Sequence, residues 1–131
     1  MALTNAGRNL IASGLIGANP AGAWYTNASG FLCVGTSATA FAATQTDMQG
    51  TSGARHAMDA TYPTIVSGNL LTFQSTFGTS EANFDWQEWG VANSSATTGQ
   101  GTLLNRKQEA LGTKTSAQSW QLNVILTVNN P

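Results

Sequence analysis

The sequence predicts a mainly β protein, a single-domain β-sandwich or jelly-roll-like fold with one short N-terminal helix. Short stretches that alternate apolar and polar residues are separated by runs of Gly, Ser, Thr and Asn, a pattern typical of strands joined by turns. Helical spacing occurs only near the start. At 131 residues the chain is long enough for one core, and no linker-like segment divides it, so we treat residues 1–131 as one domain.

The predicted helix runs from about Asn5 to Leu15. Thr4 precedes it and can act as N-cap, while Gly17 follows and can end it. An apolar stripe at helical spacing is formed by Leu10, Ile11 and Leu15, with Leu3 just before the helix. This stripe either packs on its own domain, which we favour because tertiary packing stabilises most short helices, or docks on a neighbouring subunit.

The first strand is predicted at Phe31–Thr36. It contains Cys33, the only cysteine, which we interpret as a small buried apolar residue rather than a nucleophile or ligand. A long connection of small residues follows over 35–47, with Phe41 as its only large anchor. Connections of this length either bind a partner or lie along their own sheet, and both alternatives stay open.

Residues 55–66 are predicted to be extended towards their end, with Pro63 at a sheet edge or bend. His56 is the only histidine and Asp59 is close by, but the strained nucleophile turn of a Ser-His-Asp hydrolase is absent from the sequence. One His and one Cys do not provide metal-ligand spacing. We therefore expect no catalytic residue, no bound metal and no cofactor.

Two extended runs surround the middle of the chain. Asn69–Phe77 alternates as a half-buried strand, the small and polar residues 78–83 follow, and Phe84–Val91 resumes as a second strand. The pair forms either a hairpin or a crossing between sheets.

Glu88 is difficult to place in the second run. The large apolar residues lie on one face in the first half of this run and on the other face in the second half. Either a β-bulge near Glu88 restores one apolar side, or Glu88 points inward and pairs with a basic residue, first Arg106 and then Arg55. A glycan hydrolase using Asp85 and Glu88 is not favoured, because residues three apart on a strand face opposite sides unless a bulge intervenes.

The C-terminal third adds two further strands. The polar residues 93–101 form a turn, residues 102–111 are strand-like, and the last strand alternates from Trp120 to Val128 with Ile125 as the one apolar residue on its polar face. The predicted structural core combines the apolar and paired positions of these strands: Phe73, Trp86, Glu88, Gly90, Arg106, Trp120, Leu122 and Val124.

Charged residues make up only 8% of the chain, against about 25% in typical soluble domains. This depletion indicates either a permanent subunit interface or a surface simply rich in Thr and Ser. The net charge is -1 and the five basic residues are scattered, so nucleic-acid binding is not expected. No apolar run approaches the length of a membrane span and no signal-peptide pattern is present, so we expect folding in a cytosol without a membrane partner.

Residues 73–93, 103–107 and 111–122, with shorter matches at 3–7 and 34–37, resemble small tailed-bacteriophage virion proteins. The shared pattern is an apolar residue, a Glu and a Gly at alternate positions, here Trp86, Glu88 and Gly90. An Arg on the next strand, Arg106, and a terminal amphipathic strand complete it. Head-decoration or cement proteins and short tail appendage proteins share this pattern.

The resemblance implies a non-enzymatic virion protein, and we favour a capsid cement protein that binds the outside of the head. Its partners would be the major capsid protein and further copies of itself, in a dimer or trimer, with no small-molecule substrate. It would be assembled into virions in the bacterial cytoplasm. The alternative is a tail-fibre or baseplate appendage that binds a host receptor, which the short chain without repeats favours less. The candidate interface residues are Leu3, Leu10, Ile11 and Phe41.

Overall fold

The computed structural model describes residues 2–18, 24–94 and 101–129. Within them the chain forms one helix, α1 (Asn5–Leu15), and mostly short strands. The strands are β1 (Phe31–Gly35), β2 (Gly53–Ala57), β3 (Thr64–Val66), β4 (Leu70–Phe77), β5 (Asp85–Ala92), β6 (Leu103–Thr113) and β7 (Trp120–Thr127). The mainly β class with a short N-terminal helix is thereby confirmed.

The strands form two antiparallel sheets. One has four strands in the order β2-β1-β5-β6, and the other has three in the order β3-β4-β7. β4 and β5 belong to different sheets, so residues 69–91 cross between sheets and do not form a hairpin. The arrangement is sandwich-like, and the jelly-roll connectivity stays a prediction.

The main core lies between the two sheets. Leu32 and Val91 contribute from the larger sheet, and Phe73 and Val124 from the smaller one. Trp86 packs edge-on against Phe77 and Trp120, with ring centroids 5.0 and 5.1 Å apart, the geometry that aromatic rings prefer. As the periodicity predicted, Phe73, Trp86 and Val124 are buried and Trp120 and Leu122 pack against them half-buried.

Helix α1 packs on its own domain, the alternative that we favoured. The Thr4 hydroxyl accepts a hydrogen bond from the N–H of Gly7 at 2.9 Å, which caps the helix as predicted. Gly7 lies so close to β6 that an added Cβ would be 2.3 Å from the carbonyl oxygen of Leu104. Leu3 forms a single β-bridge with Asn105, so the chain enters the helix along the edge of β6.

β2 was not predicted from the sequence; it precedes the extended end of residues 55–66. Its five residues show no clear alternation of apolar and polar side chains, and their extended shape depends on pairing with β1 from Phe31↔Ala57 to Gly35↔Gly53.

One polar residue, Ser75, lies fully buried on the inner face of β4. Its hydroxyl donates to the carbonyl of Ala57 at 2.9 Å, which makes its burial tolerable.

Candidate functional site

The outer face of the four-stranded sheet is covered by residues 36–52, and we name this region the covered face. Glu88 and Arg106 lie at its centre, both fully buried, with the Arg106 Nε 2.6 Å from the Glu88 Oε2. This is the pair that the sequence analysis chose first. Met48 of the covering segment packs on the same face against the small cluster of Cys33, Ala92 and Leu103.

The Glu88 carboxylate is held by backbone groups of the covering segment as well as by Arg106. The N–H of Gln49 donates to its two oxygens at 3.1 and 2.8 Å, and the N–H of Gly50 donates at 2.8 Å. The N–H of Ser37 adds a bond of 3.2 Å from the start of the segment. These donors satisfy the oxygens of the buried carboxylate, so Glu88 fastens both ends of the segment to β5.

Arg106 fastens the middle of the same segment. Its Nη1 donates to the side-chain oxygen of Gln45 at 3.1 Å, and its Nη2 donates to the carbonyl oxygen of Thr39 at 2.9 Å. Because the guanidinium is a fixed planar fork, these bonds and the Glu88 bond set the distance between segment and sheet. Removing one member of such a buried pair typically costs about 3–5 kcal/mol.

Two glycines make room for this arrangement. A Cβ at Gly35 would lie 2.4 Å from the Oε1 of Glu88, its cross-strand partner. A Cβ at Gly90 would lie 2.4 Å from the carbonyl oxygen of Asn105 and 2.9 Å from the terminal carbon of Met48. Gly90, expected in the structural core, is therefore required by close approach and not by a left-handed backbone.

The two alternatives considered for Glu88 both occur. The pairing of β5 with β6 shifts register between Trp86 and Glu88, which is the expected bulge. Trp86 and Val91 therefore both face the core between the sheets, while Glu88 points to the opposite face and still becomes buried there. The two outcomes are compatible because the covering segment creates a second buried face on the other side of the sheet.

Arg55, the second-choice partner of Glu88, pairs instead with Asp47. Its Nη2 lies 3.0 Å from the Asp47 Oδ1, and the Arg55 side chain is almost completely buried. Asp47 belongs to the covering segment, and Arg55 belongs to β2. The covered face thus contains two ion pairs: Glu88–Arg106 joins β5 to β6, and Arg55–Asp47 joins β2 to the covering segment.

His56 and Asp59 do not contact each other as a catalytic pair. The Nδ1 of His56 lies 2.8 Å from the Oε1 of Glu81. Burial raises the pKa of Asp59, but hydrogen bonds from Gln74 and Thr76 outweigh it, so this pKa lies below its ordinary value. The pKa of Glu81 is also lowered, chiefly by the hydrogen bond from the backbone N–H of Gly78. The carboxylates of Asp59 and Glu81 thus accept hydrogen bonds that hold neighbouring parts of the chain in place.

The sequence analysis did not foresee that Lys114 is buried. Its ammonium donates to the carbonyl oxygen of Gly78 at 2.6 Å and to the side-chain oxygen of Asn83 at 2.8 Å. Both acceptors belong to the loop between β4 and β5, where the Nε1 of Trp86 also donates to the carbonyl of Ala82 at 2.9 Å. The sequence feature that could have drawn attention to Lys114 is the scarcity of lysine, since only Lys107 and Lys114 occur.

Other candidate reactive groups are separated or buried. Asp85 is exposed and accepts a bond from Gln87 at 2.6 Å, whereas Glu88 is enclosed, so they do not form an open acid–base pair. Burial raises the pKa of the Cys33 thiol to about 12. Within residues 2–18, 24–94 and 101–129 no group of three or more His, Cys, Asp or Glu is placed to hold a metal ion. The only helix there is too short to cross a membrane.

A second surface feature lies where α1 meets the open end of the sandwich, and we name it the apolar end. A cavity of about 230 Å³ is lined there by apolar side chains of α1, β4 and β7, among them Leu10, Ile11 and Leu71. A second depression adjoins it through Leu71 and is bordered by Ile65 and Val128. Further along the chain from Ile11, Leu15 is 85% exposed and Ile16 81%.

The four candidate interface residues occupy different environments. Leu3 packs against the main core, and Phe41 is half-buried in the covering segment. Leu10 and Ile11 line the cavity of the apolar end, where Ile11 is 36% exposed. The predicted turn at 93–101 lies mostly outside the described residues. Among the most exposed apolar residues, Leu15 belongs to the helical stripe for which docking on a neighbouring subunit was an alternative. Ile65 and Val128 were not expected as contacts, because exposure is not visible in sequence alone.

Comparison with known proteins gives no relative. No family model, no curated protein and no solved structure matches this chain.

Proposed function

We propose that this protein is a non-enzymatic structural subunit of a tailed-bacteriophage virion, a decoration or cement protein of the head. It binds the outside of the assembled capsid and stabilises the lattice of the major capsid protein. The observation that carries this proposal is the apolar end. Large exposed apolar surfaces on a soluble domain typically mark a site of protein–protein contact, and rigid domains with such a surface suit a permanent assembly.

The distribution of charge supports the same proposal. Four of the few charged side chains, Arg55, Glu88, Arg106 and Lys114, are buried inside the domain. The exposed surface is therefore even poorer in charge than the composition indicates. Depletion of charge is a mark of the central part of protein interfaces.

The covered face supports a role that requires mechanical stability. Residues 36–52 form a long connection that would be mobile without fixed partners. Here they are fastened to the sheet by Glu88, Arg106 and Arg55. A surface that is already ordered loses little conformational entropy when it binds a lattice, which favours tight attachment.

The test compares heads that carry the protein with heads that lack it. Calorimetry should show a higher melting temperature for decorated heads, and re-addition of purified protein should restore the difference, because binding to the folded lattice stabilises it. The effect should persist from low to high salt, since apolar contacts are not screened. Equal melting temperatures at full occupancy would contradict the proposal, and finding the protein only on tails would favour an appendage.

The binding surface is tested by the double substitution Leu15→Ser with Ile16→Ser. Burial of one such side chain is worth about 1.5–3 kcal/mol, so affinity for heads should fall about tenfold or more. Leu111→Ser is the matched control, because Leu111 is also partly exposed but lies on β6 away from the apolar end. Unchanged binding of the double variant would show that the apolar end is not the contact surface.

A further inference from the structure

β7 has the least protected edge among the four edge strands of the described sheets. β3 has three residues, β2 carries Arg55 and His56, and β6 carries Lys107 and Glu109. β7 has eight residues without a charge or a proline, and it pairs with β4 without a register shift. Charges, proline, bulges and short length are the devices that prevent edge-to-edge pairing, and β7 uses none of them.

The backbone groups on this edge can be assigned from one hydrogen bond. The N–H of Val128, one residue beyond β7, donates to the carbonyl of Asn69 at 2.9 Å and so points towards β4. In an antiparallel strand the backbone groups of successive residues alternate between the two neighbours. The residues whose N–H and C=O turn to the free edge are therefore Gln121, Asn123, Ile125 and Thr127.

We propose that β7 pairs antiparallel with β7 of a second copy of this chain, about a two-fold axis at Val124. This register places Asn123 opposite Ile125 of the second copy and Gln121 opposite Thr127. Each residue whose backbone groups turn to the free edge then lies opposite another such residue. Four hydrogen-bonded pairs form, which gives about eight hydrogen bonds between the two strands. Moving the register by two residues would lose one of these pairs. The two three-stranded sheets would join into one continuous sheet.

The side chains favour a second copy over another partner. On the inner face, Val124 would meet itself across the axis, and Leu122 would meet Leu126, so the apolar row is self-complementary. β7 itself carries no charge, so two approaching β7 strands bring none of their own like charges together, and Lys107 beside the edge is paired with Glu109. The side of the sandwich between β6 and β7 is also open, with a depression of about 440 Å³ bordered by Trp89, Lys107 and residues 123–125.

This inference does not depend on the proposed function, since the dimer would form whether or not the protein binds a phage head. Disulfide trapping tests the register. Asn123→Cys protein mixed with Ile125→Cys protein should form a cross-linked dimer, because opposed residues of a hydrogen-bonded pair lie about 5.5 Å apart at Cα, within disulfide range. Gln121→Cys mixed with Ile125→Cys is the matched control and should not cross-link. The native Cys33 is buried and does not compete.

Sedimentation equilibrium tests the edge itself. Wild-type protein should dimerise, and Asn123→Pro should weaken dimerisation at least tenfold, because it removes an outward N–H without touching the β4 ladder. Ile125→Lys should also weaken it, whereas Ile65→Lys, the same change on β3, should not. A wild-type protein that stays monomeric, a dimer insensitive to the β7 variants, or equal cross-linking in both mixtures would overturn the inference. Thermal melts confirm that each variant is folded.

Discussion

The covered face and the apolar end differ in the kind of side chain that they bury and the kind that they expose. On the covered face, polar and charged groups are buried, and Glu88 and Arg106 both find partners within the domain. At the apolar end, large apolar residues such as Leu15 and Ile65 remain exposed at 85% and 70%. The first region is completed within the domain, whereas the second leaves apolar area exposed, which we propose is buried by a partner.

This difference separates stability from binding. Substitutions on the covered face should destabilise the isolated protein, because they leave buried polar groups without partners. Substitutions at the apolar end should change association with little effect on folding.

The largest effect is expected for Arg106→Met, which leaves the Glu88 carboxylate buried without its cation. The free energy of unfolding should fall by about 3–5 kcal/mol. Lys107→Met is the matched control, since Lys107 is exposed, pairs with Glu109 and lies 6.0 Å from the ring centroid of Trp89, so its loss should change stability by about 0–1 kcal/mol. Urea denaturation of both variants measures the difference. Similar stability of the two variants would contradict the role assigned to the buried pair.

Gly35→Ala should be next, because the added Cβ would lie 2.4 Å from the Oε1 of Glu88. Overpacking of this kind costs about 1–3 kcal/mol. Gly53→Ala, on the cross-strand partner, is the control: its Cβ would have only one neighbour, at 3.4 Å, and the residue is exposed. Thermal melts should therefore separate the two variants, and a Gly35→Ala protein as stable as Gly53→Ala would show that the covering segment yields easily.

A smaller effect is expected from acid. Glu81 has a lowered pKa in the folded protein, so its stabilising contribution is complete above its unfolded value near 4.5 and is lost as pH falls through the lower folded value. Glu81→Gln should therefore show a weaker decline of melting temperature below about pH 4.5 than wild type. Parallel curves for the two proteins in this range would show that Glu81 does not contribute to acid sensitivity.

The smallest effect on folding is expected at the apolar end. Leu15→Ser should change the free energy of unfolding by no more than about 0.5 kcal/mol, because the side chain is already in water. The same urea titration used for Arg106→Met measures it. A loss comparable to that of Arg106→Met would mean that the apolar end stabilises the monomer, and the contrast between the two regions would disappear.

Elements with their own periodicity were predictable from sequence. The alternation of β4 and β7 identified the core residues Phe73 and Val124, and the Thr4 cap and Gly17 marked the limits of α1. The Glu88–Arg106 pair could also be chosen, because a buried carboxylate needs a cation and the chain has few. These features depend on local spacing or on a charge balance that the composition itself restricts.

Other features depended on contacts between distant parts of the chain. β2 is a strand because β1 offers it a partner, and Glu88 is buried because residues 36–52 fold over it. Lys114 is buried because the loop between β4 and β5 presents two oxygens at the right distance. Local alternation was enough to locate the extended stretches other than β2, and to assign the apolar side of β4 and β7. The closure of the outer face of the four-stranded sheet and the open edge of β7 could not be predicted from the sequence. Both follow from the tertiary structure, because they depend on where the loops lie.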